Sequence, residues 1–192
     1  NTKILLLCNP QNPGGTVWTR TELEELANIC HENKIMIVSD EIHSDLVFNG
    51  HKHIPIASIS DEVAQNCMVC MAPSKTFNVA GLASSMVIIP NKCTFARYEK
   101  AIGIGHLGMG NIFGSVALQA SFSNGDEWLN QMLDYVWKNY LFLEDFFKTN
   151  LPKIKVMKPE ATFLVWLDFT AYEMNDKELW KFTTEKAKVG LN

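Results

Sequence analysis

The chain has 192 residues, of which 47% are hydrophobic and 20% charged, so it is long enough to bury a sizeable core. Its 17 basic and 21 acidic residues give a formal net charge of −4, which argues against nucleic-acid binding, because phosphate contacts need a basic face. Five cysteines, an odd number scattered through hydrophobic segments, predict reduced thiols in a cytoplasmic protein rather than a secreted disulfide framework. The apolar runs are too short to span a bilayer, so we expect no contact with a membrane.

The first third of the chain alternates strand and helix patterns. Residues 4–8 form a continuous apolar run, typical of a strand that is covered on both faces. Thr19 and Glu22 have the spacing of a capping box, and a helical apolar stripe follows as far as Cys30. Residues 35–38 form a second apolar run. The order strand, helix, strand predicts a βαβ unit with a right-handed crossover.

The middle of the chain continues with buried strands and amphipathic helices. These are predicted, in chain order, at residues 67–71 (strand), 85–89 (strand), 92–102 (helix), 111–122 (helix) and 126–149 (helix). The pattern of predicted elements changes after Pro152, where two short strands at 153–157 and 162–168 precede a helix that begins near Asn175. This change indicates a second unit of α+β type.

The pattern as a whole predicts an α/β protein with a mainly parallel sheet in an αβα sandwich. We assign residues 1–145 to part of a large domain and residues 146–192 to part of a small C-terminal α+β domain. The chain starts close to its first strand and stops at residues 189–192 without a closing element. We therefore expect a fragment of a longer protein.

Three polar segments each follow a predicted strand. They are residues 9–15 (NPQNPGG), 39–43 (SDEIH) and 72–78 (APSKTFN). In a parallel α/β sheet the carboxyl ends of the strands lie at one edge, and ligands bind in the crevice there. We therefore expect Asn12, Asp40 and Lys75 to meet at this edge, although they are far apart along the chain.

These residue types match the requirements of pyridoxal 5′-phosphate (PLP). This cofactor needs a lysine that forms a Schiff base with its aldehyde, and an acid that keeps the pyridine nitrogen protonated so that the ring accepts electrons. Lys75 and Asp40 can supply these groups. Asn12 can donate a hydrogen bond to the phenolic oxygen of the ring, and Ser74 can contact the phosphate.

Other apparent motifs fit their expected contexts poorly. Residues 103–108 match G-x-G-x-x-G but follow a helical pattern, whereas dinucleotide binding requires a preceding strand. Cys67 and Cys70 are spaced as C-x-x-C, yet on a strand they point to opposite faces. His51 and His53 are expected in a loop. We predict no metal site.

The ordered set N-P-x-N-P-G-G, S-D-E-I-H and S-K-T-F-N-x-A-G-L resembles the fold-type I aminotransferase superfamily (class I/II). Within it, the chain is most similar to the MalY/PatB-type cystathionine β-lyases, which are C–S lyases, and the similarity extends through residues 159–168. The resemblance implies a PLP-binding large domain in which Lys75 holds the cofactor and later moves the substrate's α-proton. It also implies that Asp40 pairs with the ring nitrogen and Asn12 donates to the phenolic oxygen.

By the same resemblance, His43 lies where many transaminases carry a tyrosine near the phenolic oxygen, and Ser74 contacts the phosphate. The bond between Asn12 and the proline that follows it is expected to be cis. Two positions depart from the pattern of the family. Ala83 replaces a phosphate-binding arginine, and Ala72 replaces a hydroxyl residue, so phosphate anchoring is incomplete. The family's glycine-rich phosphate turn, ring-stacking aromatic and substrate-carboxylate arginine lie outside these residues, and a homodimer normally completes the site.

The resemblance implies a PLP-dependent C–S β-lyase that converts small cystathionine-type or cysteine-type amino acids into pyruvate, ammonia and a thiol. His43 and Ala83 favour this branch over an ordinary transaminase. The alternative is a PLP-dependent class I/II aminotransferase. A more remote alternative is a non-catalytic α/β binding module, in which Asp40 and Asn12 are turn residues, His43 packs in the interior and Ser74 caps a helix.

Overall fold

A computed structural model describes residues 1–48, 50–108 and 110–191 of the chain. Its main sheet contains four strands in the order in which they occur along the chain. These are β1 (Ile4–Cys8), β2 (Met36–Asp40), β3 (Cys67–Met71) and β4 (Met86–Ile88). The first three strands are parallel, and β4 runs antiparallel to β3. The predicted α/β class with a mainly parallel sheet is confirmed.

Seven α-helices connect and cover the strands in the described part of the chain. They are α1 (Arg20–Glu32), α2 (Asp61–Gln65), α3 (Pro73–Thr76), α4 (Lys92–Ile104), α5 (Ile112–Asn124), α6 (Asp126–Asn150) and α7 (Asp176–Lys181). Among these described helices, none combines the length and the apolar character that crossing a bilayer requires. The predicted division at residues 145 and 146 falls within α6, and the division into domains stays a prediction.

Helix α1 begins at the predicted capping box and packs against the sheet. The Thr19 Oγ1 accepts a hydrogen bond from the Glu22 N–H at 3.3 Å, and the Glu22 carboxylate accepts one from the Thr19 N–H at 2.8 Å. These bonds satisfy backbone donors that a helix leaves unpaired at its start. Leu23, Ala27 and Cys30 of α1 are buried in the main hydrophobic core. The capping box and the apolar stripe are both confirmed.

The bounds of three strands differ from the predicted patterns. Strand β2 includes Ser39 and Asp40 beyond the apolar run at 35–38, because these residues pair with β1 on one side and β3 on the other. The two C-terminal strands shrink to a short antiparallel pair, β5 (Lys155–Val156) and β6 (Leu167–Asp168). The chain between these two strands bonds instead to the loops of the main sheet.

Residues 159–162 connect the loops that follow β1 and β2 through backbone hydrogen bonds. The Gly15 carbonyl accepts hydrogen bonds from the Glu160 N–H at 2.8 Å and the Ala161 N–H at 2.9 Å. On the other side, Phe48 donates its N–H to the Glu160 carbonyl at 2.9 Å, and Thr162 donates its N–H to the Leu46 carbonyl at 2.8 Å. The C-terminal segment therefore fixes two loops at the carboxyl edge of the sheet.

Gly15 permits the close approach of this segment, and replacing it with alanine should destabilise the fold. Its φ of +73° lies in the left-handed region, and an added Cβ would come within 3.0 Å of the Ala161 oxygen and the Pro159 Cβ. We expect Gly15→Ala to lower the free energy of unfolding of the full-length protein by about 1–3 kcal/mol, measured by chemical denaturation. Gly103→Ala is the matched control, because no described atom lies within 4 Å of its added Cβ. Equal stabilities of the two variants would contradict the prediction.

Candidate active site

The carboxyl ends of β1, β2 and β3 place Asp40 between two cysteines. In the register of the sheet, Asp40 is paired with Cys8 of β1 and Cys70 of β3. Register neighbours in a parallel sheet project to the same face, so the three side chains form one row. The Asp40 side chain is exposed. Burial raises the pKa of the Cys70 thiol, and the negative charge of Asp40 adds to this effect. The row therefore combines a solvent-accessible carboxylate with a thiol that holds its proton.

Lys75 reaches the same edge on the short helix α3, which begins two residues after β3 ends. The Lys75 side chain is exposed. The helix is tied to the loop after β2, because the Thr76 hydroxyl donates a hydrogen bond to the Asp45 carboxylate at 2.9 Å. Ser74 is half-buried inside α3, whose N-cap is Ala72. The alternative that Ser74 caps this helix was therefore wrong.

His43 lies in the turn that follows β2, three residues after Asp40. Its side chain is 2% exposed, and neither ring nitrogen has a hydrogen-bond partner in the described part of the chain. Burial lowers the pKa of His43, and the charges of Asp40 and Lys75 act on it in opposite directions. Asp40, His43 and Lys75 all lie at or directly after the carboxyl ends of β2 and β3. The predicted meeting of Asn12, Asp40 and Lys75 around one ligand stays a prediction.

A buried imidazole with two unpaired nitrogens suits a site that receives a polar ligand. A buried polar atom without a partner costs about 1–3 kcal/mol, and a hydrogen-bonding group of a ligand removes this cost. The ring of Phe163 contacts His43 edge-on, with 5.9 Å between the ring centroids. Phe163 itself is 42% exposed. A phenylalanine from the C-terminal segment thus contacts the buried histidine, and the sequence patterns did not indicate this contact.

Asn12 lies in the loop after β1, at the same edge of the sheet. Its side chain is exposed and makes no hydrogen bond to Asp40, His43 or Lys75 within the described residues. The Asn12–Pro13 peptide bond is cis, as predicted. The loop also contains a polar group that sequence reasoning missed. The Asn9 side chain is fully buried, and its Nδ2 has no partner among the described residues.

The sequence model for aminotransferase class I and II matches residues 1–191. The chain belongs to this family. The expected superfamily and the fold of the PLP-dependent transferases are thereby confirmed.

Relatives and solved structures within the family include a cystathionine β-lyase and a C–S lyase. Cystathionine β-lyase PatB of Bacillus subtilis (strain 168) is 46% identical over 188 residues, which cover 98% of this chain and 49% of PatB. Cystalysin from Treponema denticola, whose structure contains PLP, superposes with a TM-score of 0.93 at 35% identity, covering 99% of this chain and 48% of cystalysin. The PLP-bound C–S lyase from Staphylococcus hominis gives a TM-score of 0.88 at 35% identity, with coverages of 97% and 47%. The chain spans about half the length of these family members.

Proposed function

We propose that this chain is the central part of a PLP-dependent C–S β-lyase. The observation that carries the proposal is that an exposed lysine, an exposed aspartate and a buried histidine with unpaired ring nitrogens all follow strand ends at one edge of the sheet. The names of PatB and of the C–S lyase from Staphylococcus hominis support the same reaction class. The residues present fit PLP, because they include a lysine for its aldehyde, an acid for its ring nitrogen and buried groups in need of hydrogen-bond partners.

Lys75 and Asp40 carry the chemistry in this proposal. The Lys75 amine would hold the cofactor, and the same amine would move the proton of the substrate α-carbon. The Asp40 carboxylate would hold the cofactor at its ring nitrogen and keep that nitrogen protonated. When bound, PLP supplies an electron-accepting ring that stabilises negative charge on the α-carbon.

The remaining site residues orient the cofactor. Asn12 and His43 would hold the cofactor on the side of its phenolic oxygen, and Ser74 would hold its phosphate. Ala72 and Ala83 add no polar side chain, so groups outside this chain must supply further phosphate contacts.

The proposed substrate is a small amino acid that carries sulfur on its β-carbon, such as cystathionine. Removal of the α-proton and cleavage of the Cβ–S bond release a thiol, and one water then converts the remaining fragment into pyruvate and ammonia. The alternative, an aminotransferase, returns the proton to the cofactor and needs a keto acid that accepts the amino group.

Product analysis of the full-length protein tests the reaction. With cystathionine and PLP, and with no keto acid added, we expect stoichiometric formation of pyruvate and thiol, measured with lactate dehydrogenase and a thiol reagent. A strict requirement for a keto-acid acceptor would contradict the lyase and support the aminotransferase.

The full-length protein is proposed to be a cytoplasmic homodimer with its sites at the subunit boundary. The incomplete phosphate anchoring of this chain supports a contribution from elsewhere, and its five free thiols suit a reducing compartment. Analytical ultracentrifugation of the active protein checks the dimer. A stable, fully active monomer would contradict it.

A further inference from the structure

A buried carboxylate that the proposed chemistry does not use lies directly beside Asp40. Glu41 is fully buried, whereas the preceding Asp40 is exposed. Removing an ionised carboxylate from water is costly unless hydrogen bonds and opposite charges compensate the loss. A buried glutamate in this place therefore needs an explanation in its contacts.

Three donors from three parts of the chain satisfy the Glu41 carboxylate. Its Oε1 accepts hydrogen bonds from the Ser39 hydroxyl at 2.9 Å and from the Ile56 N–H at 3.0 Å. Its Oε2 lies 2.8 Å from Nε2 of His53, whose side chain is 8% exposed. His53 is in a loop, as expected, but it is packed against Glu41 rather than exposed to solvent.

The negative charge of Glu41 affects the thiol of a neighbouring cysteine. Burial raises the pKa of the Cys67 thiol to about 11, and the negative charge of Glu41 adds to this shift. With its proton on Nε2, His53 donates to the carboxylate, and its Nδ1 has no partner within the described residues. The Glu41 carboxylate and the His53 ring therefore form a buried hydrogen-bonded pair, which we call the anchor.

This anchor fixes the backbone on both sides of Asp40. Ser39 and Glu41 are both held beneath the sheet, and side chains alternate along a strand, so Asp40 must project to the opposite face. The Asp40 carbonyl also accepts a hydrogen bond from the Asn9 N–H at 3.1 Å, and the Glu41 N–H donates to the Cys70 carbonyl at 2.9 Å.

The Asp40 carboxylate itself has few hydrogen bonds that would hold it in place. It is exposed, and the Ile42 N–H at 3.2 Å from its Oδ1 lies in the adjacent turn. Its position is therefore set by the backbone, which Glu41 and Ser39 fix. Functional groups must be held within about 0.5 Å of their productive geometry, and buried neighbours supply that precision.

We propose that Glu41 is a positioning residue for Asp40, and that Ser39 and His53 hold Glu41 in place. The inference rests on the proposed function, because it takes Asp40 as the partner of the PLP ring nitrogen. Weakening the anchor should let the Asp40 carboxylate move, and the cofactor should then bind less tightly and in a changed electrostatic environment.

The test compares Glu41→Gln and Ser39→Ala with Glu62→Gln in the full-length protein. Glu62 is the matched control, because it also pairs with a histidine, His31 at 3.2 Å, but on the exposed surface. The measurements are the dissociation constant of PLP, the visible absorbance spectrum of the bound cofactor and the thermal midpoint of the apoprotein. We expect the two anchor variants to bind PLP about tenfold more weakly and with an altered spectrum, and the control to match the wild type.

Ser39→Ala keeps the Glu41 carboxylate, so it tests the positioning role even if Glu41→Gln does not fold. Wild-type affinity and an unchanged spectrum in the anchor variants would overturn the inference, even if their thermal midpoints fall, because the role would then be structural only. If the wild-type protein itself does not bind PLP, the proposed function fails as well. Normal binding by the wild type and the variants overturns the positioning role alone.

Discussion

Replacing Lys75 with alanine is expected to abolish covalent attachment of PLP to the full-length protein. It should also lower kcat/KM for cystathionine by about 10³-fold or more, because the same amine is proposed to bind the cofactor and to move the α-proton. Reduction with borohydride followed by peptide mass spectrometry measures the attachment, and pyruvate formation measures the activity. The wild type should carry the reduced adduct on Lys75.

Lys100→Ala is a suitable control, because Lys100 is also an exposed lysine and lies on α4, outside the edge cluster. It should retain the adduct and the activity. The exposed position of Lys75 indicates that its loss leaves the apoprotein folded, and circular dichroism checks this. A reduced adduct on another lysine of the wild type, or substantial activity in Lys75→Ala, would end the proposed assignment.

The first half of the fold follows from local sequence patterns. The apolar runs predict β1 and β3, the pair Thr19 and Glu22 predicts the start of α1, and the rule for parallel sheets predicts that the segments after the strands meet. These features depend on periodicity, on capping and on chain direction, and all three can be identified in a linear sequence.

The direction of β4 could not be predicted in the same way. An apolar run of three residues has the same appearance in a parallel and an antiparallel strand. Between the end of β3 at Met71 and the start of β4 at Met86, the chain forms only the short helix α3 and a helical turn at residues 80–82. A parallel return usually crosses the sheet through a full helix, and this connection contains none, which fits the antiparallel pairing that the structure has.

Within the candidate site, the motifs predicted which residues follow the strand ends, but they did not predict the environment of each residue. The burial of Glu41 depends on His53 and Ile56, and the contact of His43 depends on Phe163, more than a hundred residues away. Such environments arise from long-range packing, for which a single sequence has no local signal. In the sequence alone, Glu41 looks like any other polar residue, because the contacts that bury it form only in the folded chain.

Replacing Asp40 with asparagine should leave the fold intact and reduce kcat/KM by at least about 10²-fold. Asparagine has the same shape but no negative charge, so the ring nitrogen would lose the group that holds its proton, and negative charge on the substrate α-carbon would be less stabilised. Pyruvate formation measures the rate, and the visible spectrum of bound PLP reports the change at the ring. Asp145→Asn, on the exposed surface of α6, is the control and should behave as the wild type.

The double variant Asp40→Asn with Glu41→Gln separates the two carboxylates. If Glu41 acts through Asp40, its replacement should add little once the Asp40 charge is absent, so the losses in kcat/KM of the two single variants should not multiply. Independent roles would instead give a double variant whose loss is the product of the single losses. Activity of Asp40→Asn within about fivefold of the wild type would contradict the role of Asp40 itself, because a loss of ring charge stabilisation should cost far more than that.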